Sequence, residues 1–277
     1  MVTPAPFSFR WLGTAGFDLH LGTARLLIDP FVSRSPQARP ALPLKADTLQ
    51  ADAILITHGH LDHAYDVPAL ARQTRAPVYA SISVCEMLHD LGVPARQTRP
   101  LAGGRTCRVN GVRIRAVLSR HIRFDWALVW GALRRVGSRF FELARQFGAY
   151  PCGEVLAYRL TVGGREIAHL GSAGWYQEEW KEVHPEVAML PLTGHSRIHH
   201  IALRMVQHLQ PQWVIPHHHD DFYPPLSQSV PVQPFVTLLQ KHHCPTRVVE
   251  PRIGEWMPLF PQDYPPFHQG EQPCSNT

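Results

Sequence analysis

The sequence predicts an α/β fold, and three observations carry that prediction. Three apolar, strand-like runs separated by glycine turns open the chain, and an alternation of strand-like and helix-like segments follows. The short β-branched run at 53–56 then leads directly into His58, His60, Asp62 and His63, so a buried strand delivers polar groups to one edge of a sheet.

Taken in order, 7–12, 16–21 and 25–28 read as strands of an antiparallel start, and 31–45, rich in proline and polar residues, as a surface loop. Residues 53–56 form a strand, 67–73 a helix, 77–80 a strand, and 83–91 a helix closed by Gly92. Residues 112–118 alternate as a strand ending in Ser119, Arg120 and His121. Strands are expected at 155–162 and 166–170, followed by Gly171-Ser172-Ala173-Gly174-Trp175, a short helix around 178–183 and a strand at 187–190. Helix 198–209 precedes strand 213–215, which runs into Pro216, His217, His218, His219, Asp220 and Asp221; helix 235–242 and strand 246–250 follow. The tail 261–277, with prolines at 261, 265, 266 and 273, has little to bury and is expected to be irregular.

Residues 122–150 interrupt this alternation. Val129, Leu133, Val136, Phe140, Leu143 and Phe147 form one apolar helical stripe, with Arg134, Arg135, Arg139 and Arg145 mostly off it. A cationic amphipathic insertion of this kind fits a lid, a dimer contact or contact with a membrane surface through 127–147. A helix packed on the domain's own core is the fourth option, and the oligomeric state stays open.

Composition narrows the class. With 277 residues, 44% hydrophobic and 18% charged, the chain can bury a large core in one or at most two domains. No apolar run approaches a membrane span and no signal-peptide pattern precedes the first strand, so a cytoplasmic protein is expected. The five scattered cysteines, without a Cys-x-x-Cys pair, read as reduced thiols. A formal charge of +5 favours a small or lipid-like anionic substrate through long-range steering and falls short of a nucleic-acid-binding signature.

The histidine cluster carries the chemistry. If the segment continues as a strand, His58, His60 and Asp62 project to the same side and His63 turns elsewhere. Imidazoles plus one carboxylate, with no cysteine, suit an open hydrolytic site for zinc, with manganese or iron as alternatives. The His-x-His-x-Asp-His pattern of 58–63, together with Trp11-Leu-Gly-Thr-Ala-Gly-Phe-Asp-Leu19, Leu27-Ile-Asp-Pro-Phe31 and Ser33-Arg-Ser-Pro36, resembles the metallo-β-lactamase superfamily. Within it, the opening is similar to the branch of N-acyl-phosphatidylethanolamine phospholipase D-like and ascorbate-phosphate lactonase-like proteins.

That resemblance implies an αββα sandwich over 1–260 with a helical insertion near 122–150. It implies one metal held by His58, His60 and His121, and a second by Asp62, His63 and His218, with Asp62 also the catalytic carboxylate. His218 is preferred to His217 and His219 because it stands two after Pro216 and four before Phe222. Where the branch has Gly-Asp-Thr-Gly-aromatic, this chain has Gly171-Ser-Ala-Gly-Trp175, so Ser172 replaces the carboxylate that bridges the metals. One tightly bound zinc and a weaker second are therefore expected, unless Asp125, Asp220 or Asp221 takes over the bridge. His195 is a candidate substrate contact, His199 and His200 share its loop, and His169 reads as structural. The expected activity is metal-dependent hydrolysis by a metal-activated water, first of a phosphodiester, alternatively of a lactone. The third alternative is a degenerate, metal-binding protein with little turnover.

Overall fold

The computed structural model describes residues 7–137, 145 and 147–260. Two seven-stranded sheets face each other. The first is built from β1 (Ser8–Gly13), β2 (Gly16–Leu21), β3 (Ala24–Ile28), β4 (Ala53–Leu55), β5 (Val78–Ala80), β6 (Thr98–Pro100) and β14 (Trp256–Pro258), in the order β14-β1-β2-β3-β4-β5-β6. The second holds β7 (Thr106–Val109), β8 (Val112–Leu118), β9 (Leu156–Val162), β10 (Arg165–His169), β11 (Val187–Pro191), β12 (Trp213–His217) and β13 (Arg247–Val248), in the order β13-β12-β11-β10-β9-β8-β7. Each sheet is antiparallel on one side and parallel on the other: β1–β3 are antiparallel and β3–β6 parallel, while β7–β10 are antiparallel and β10–β13 parallel.

Side-chain alternation divides the apolar residues into three layers. On β3 and β4, Leu26, Ile28, Ala53 and Leu55 point between the sheets, where they meet Ile114, Tyr158, Ile167, Met189 and Ile215 of the second sheet. Leu27, Ile54 and Ile56 point outward, under α2 (Val67–Thr74) and α3 (Ile82–Asp90), which supply Leu70, Val84 and Leu88. Behind the second sheet, Ala168, Leu190 and Val214 pack against Leu203 and Val206 of α5 (Ile198–Leu209) and Phe235 of α6 (Gln233–Lys241). This is the expected αββα sandwich.

Most expected elements recur within a residue or two of their expected ends. Several segments differ. Residues 61–64, expected to stay extended, form the short helix α1 (Leu61–Ala64). The short strands β6, β7 and β14 had no expected counterpart, and the helix expected around 178–183 is a 3-10 turn at Gln177–Trp180. The insertion begins as α4 (Trp126–Val136), capped by the Asp125 carboxylate on the Leu128 N–H at 2.9 Å. The stripe positions Phe140 and Leu143, and the tail 261–277, lie outside the described residues. Among the described residues Cys85, Cys107, Cys152 and Cys244 are free thiols, and no helix is long and apolar enough to cross a membrane.

Candidate metal centre

Four strand ends meet at one edge of the sandwich, because β4, β8, β10 and β12 each leave their sheet there and hand over His58, His121, Ser172 and His218. The sheets are tied at this edge: Tyr158 Oη donates to Ile56 O at 2.7 Å and Leu156 N to Thr57 O at 2.8 Å. The loops approach so closely that only glycine fits at two points. A Cβ on Gly59 would stand 2.2 Å from Pro151 O, and one on Gly171 would stand 2.2 Å from Thr57 Oγ1.

The side chains form two groups, His58 with His60 and His121, and Asp62 with His63 and His218, each with its ligand atoms within 4.8 Å of one another. The imidazole centroids of the first group lie 4.6 to 5.1 Å apart. The grouping differs from strand alternation, which placed Asp62 with His58 and His60 and sent His63 elsewhere. Extension stops at His60, and the α1 turn swings Asp62 and His63 round to His218.

Each ring is oriented from behind. Asp29, fully buried, accepts the Thr57 N–H at 2.7 Å, the Thr57 hydroxyl at 2.6 Å and Nδ1–H of His63 at 2.8 Å. Thr57 Oγ1 in turn lies 3.0 Å from His58 Nδ1, and His121 Nδ1 donates to Ile122 O at 2.8 Å. Such partners leave the other ring nitrogen, Nε2, free for a metal. His58 Nε2 is buried and has no hydrogen-bond partner, and His218 Nδ1 is in the same condition. An unpaired buried polar atom costs about 1–3 kcal/mol, so His58 Nε2, within the first group, fits a site whose partner is an ion.

Protonation agrees. Burial pushes His58 well below the ordinary imidazole value, His60 to about 4 and His121 down, so all three are neutral, the form that ligates. Burial alone would raise Asp62, but His63 and the 2.9 Å hydrogen bond with His218 outweigh it and keep the carboxylate ionised. His63 is the exception: burial lowers it, yet Asp29 and Asp62 together push it above the usual value. Protonation of His63 therefore competes with metal binding by the second group more than protonation competes in the first. The donor chemistry of both groups fits a divalent metal.

Of the three consecutive histidines, His218 alone joins the cluster. His217, on β12, is fully buried and stacks on His169 with centroids 5.0 Å apart, while His219 stacks on Trp11 at 4.7 Å. His218 sits at φ 55 and its N–H donates to Thr14 O at 2.8 Å, a left-handed turn that aims it back toward Asp62.

The carboxylates considered as replacement bridges are engaged elsewhere. Asp125 caps α4 and accepts the Ser196 N–H at 2.8 Å. Asp220, buried, pairs with Arg34 and accepts the Thr14 N–H at 3.0 Å. Asp221 accepts the Ser227 hydroxyl and pairs through its backbone with Arg39. Ser172 itself is buried and accepts the Ile122 N–H at 3.0 Å. His169 donates its Nε2–H to Ala15 O at 3.0 Å, and His199 Nε2–H to Pro231 O at 2.9 Å; His200 is exposed on α5. Asp29 and Thr57 had not been singled out for the site, and Asp220 only as a replacement bridge, not as the partner of Arg34. Asp29 lies inside the Leu27–Phe31 block and Thr57 directly precedes the first histidine, which are the signals that could have found them.

Above the cluster lies a cavity of about 650 Å³. Much of its lining is apolar: Phe124, Leu128, Val129 and Val136 from the insertion line it together with Tyr150, Phe222 and Leu226. His195 lines it as well. Its Nδ1 lies 3.0 Å from the Arg197 N–H nitrogen and 3.3 Å from an Asp125 oxygen.

Two opposed histidine-rich triads at the edge of an αββα sandwich define a metal-dependent hydrolase. The family model described as a β-lactamase superfamily domain matches residues 8–218, and the chain belongs to that family. A UPF0173 metal-dependent hydrolase of Myxococcus xanthus is 31% identical over 251 residues, covering 88% of this chain and 80% of that protein. One from Thermoplasma acidophilum is 27% identical over 216 residues, covering 76% and 83%. Among solved structures, Igni18, a metallo hydrolase from Ignicoccus hospitalis, has a TM-score of 0.67 at 19% identity and covers 90% of this chain and 97% of its own. An isothiocyanate hydrolase from Delia radicum gut bacteria has a TM-score of 0.59 at 18% identity, covering 90% and 98%. At such identities the structural likeness speaks for the fold alone.

Proposed function

We propose that this metal-dependent hydrolase cleaves a neutral carboxylic ester, in the first place a lactone, attached to a bulky apolar group. One observation carries the reading. Much of the lining beside the histidines is apolar, and among the described lining residues the only cation besides histidine is Arg135, whose Nε and Nη2 donate to Pro225 O at 3.0 Å and Leu226 O at 3.3 Å. A substrate held there meets mainly hydrocarbon and aromatic surface, with a single, partly engaged guanidinium and no ammonium among the described lining residues.

On this reading His58, His60 and His121 hold the tight metal, and Asp62, His63 and His218 the weaker one. A divalent metal in the first position supplies Lewis acidity and makes water acidic enough to attack at neutral pH. The chain's own groups do the rest. The apolar part of the lining orients the acyl part and excludes bulk water, Asp62 stays ionised and receives a proton, and His195 offers a ring N–H to an oxygen of the substrate. The water oxygen bonds to the carbonyl carbon, the ring C–O bond breaks, and the departing oxygen takes up the proton.

A second reading, phosphodiester hydrolysis, has the positive net charge and the phospholipase D-like opening in its favour. Metal-loaded protein assayed on lactones of increasing chain length and on matched phosphodiesters separates them. Faster cleavage of long-chain than short-chain lactones is expected. Preferential cleavage of the phosphodiesters would overturn the ester reading, and full metal content with no turnover of either would favour the degenerate alternative.

A further inference from the structure

Helix α4 is apolar beyond the face it turns to the cavity. Leu128, Val129, Ala132 and Val136 face the cavity. Away from it, Trp126 is 78% exposed and Trp130, one turn on, 61%; Leu133 at 38% and Phe124 just before the helix at 58% are exposed at the cavity's rim and line it as well. A surface helix that buries one apolar face normally turns a polar one to solvent. Here the exposed stripe reads Trp126, Trp130, Leu133, Arg134, and large exposed aromatics so grouped mark a contact surface.

Charge selects the partner. Between Arg120 and Arg145 the sequence has six arginines against two acids, Asp125 and Glu142, a formal +4 within a chain whose total is +5. The Asp125 carboxylate is committed to the Leu128 and Ser196 N–H groups, whereas Arg123 and Arg134 are exposed beside the tryptophans. A second copy of this chain fits poorly, since a two-fold interface would set the arginine stripe against itself. Indole rings flanked by arginine suit the boundary between lipid headgroups and acyl chains, where the ring is half-buried and the guanidinium meets anionic headgroups.

We propose that the outer face of α4, centred on Trp126 and Trp130, docks on an anionic lipid bilayer, setting the apolar cavity beneath that helix against the membrane surface. The proposal does not depend on which bond is cleaved.

The test is co-sedimentation of the full chain with phosphatidylcholine vesicles, with and without about 30 mol % phosphatidylglycerol, at low and high salt. Binding is expected to the anionic vesicles and to weaken with salt. The double variant Trp126→Ser/Trp130→Ser is expected to lose about tenfold or more in partitioning, since it removes the rings that insert. Its melting temperature and metal content are expected to match the parent's, as both rings are exposed and neither lines the cavity. Arg123→Gln/Arg134→Gln is expected to abolish the preference for the anionic lipid. Quenching of the parent's tryptophan fluorescence by bilayers of brominated lipid, reduced in the double variant, provides an independent readout. Equal partitioning of parent and double variant would overturn the proposal, as would failure of the parent to bind either vesicle. A dimer lost in the double variant, with no vesicle binding, would assign the face to a second copy instead.

Discussion

Ser172 accepts the Ile122 N–H at 3.0 Å, and Ile122 O receives Nδ1–H of His121 at 2.8 Å, so the hydroxyl braces the loop that carries a ligand of the first triad. A hydroxyl is a poor ligand for a hard cation and adds no negative charge between two dications. Ser172→Asp is therefore expected to raise bound metal from about one toward two per chain, read by elemental analysis after identical dialysis; unchanged stoichiometry would show that position 172 does not limit the second site. Asp29→Asn replaces the carboxylate behind Thr57 and His63 by an amide and is expected to weaken metal affinity about 10–100-fold in a chelator competition. Wild-type affinity in that variant would remove Asp29 from the site. At this scale the histidines after the first strand end were legible from their offsets, while the division into two triads came only through the resemblance, because strand alternation put Asp62 with His58 and His60. Asp29 was not, because a lone aspartate before a proline looks like a turn residue. The choice of His218 over its neighbours depends on the sheet's facing pattern: His217 falls on the inter-sheet face, and only a left-handed turn returns the next residue to the site.

Among elements, the insertion stands apart from the fold. The three apolar layers are built from the sheets and from α2, α3, α5 and α6, and α4 contributes to none of them. Deleting residues 126–148 with a short glycine linker is expected to leave the melting temperature within a few degrees, which corresponds to about 1 kcal/mol or less. Turnover of long-chain substrates should fall, because the cavity loses its apolar roof. Cooperative unfolding lost in that deletion would mean the helix belongs to the core. The periodic stripe of α4 was readable from sequence, but which neighbour it covers was not, since periodicity specifies a face and never its partner. Strands β6 and β14 escaped for a different reason: three residues are too few for an alternation to register, and their existence depends on an adjoining strand already being in place.

Over the whole molecule, burial of neutral histidines couples stability to pH. His60, His169 and His219 are each held down to about 4, below the ordinary value of 6.5, by burial. Below about pH 6.5 the unfolded chain takes up protons that the folded one refuses, so the metal-free protein loses stability as pH falls from about 6.5 toward 4. For His169, fully buried, the loss between pH 7 and 5 is about 2 kcal/mol. His63, raised by Asp29 and Asp62, works in the opposite sense and loses its contribution as pH rises above 6.5. The urea midpoint of metal-free protein should drop between pH 7 and 5, and a flat profile would contradict the burial-driven shifts. The sandwich itself was legible only through the resemblance, because strand and helix patterns specify α/β but not how two sheets close on each other. The most direct test of a metal-dependent hydrolase built on His58, His60 and His121 is metal content per chain, before and after His60→Ala. One tightly held divalent metal in the parent, absent from His60→Ala, is the expected result; a metal-loaded His60→Ala protein, or a parent that retains none after loading and dialysis, would contradict it.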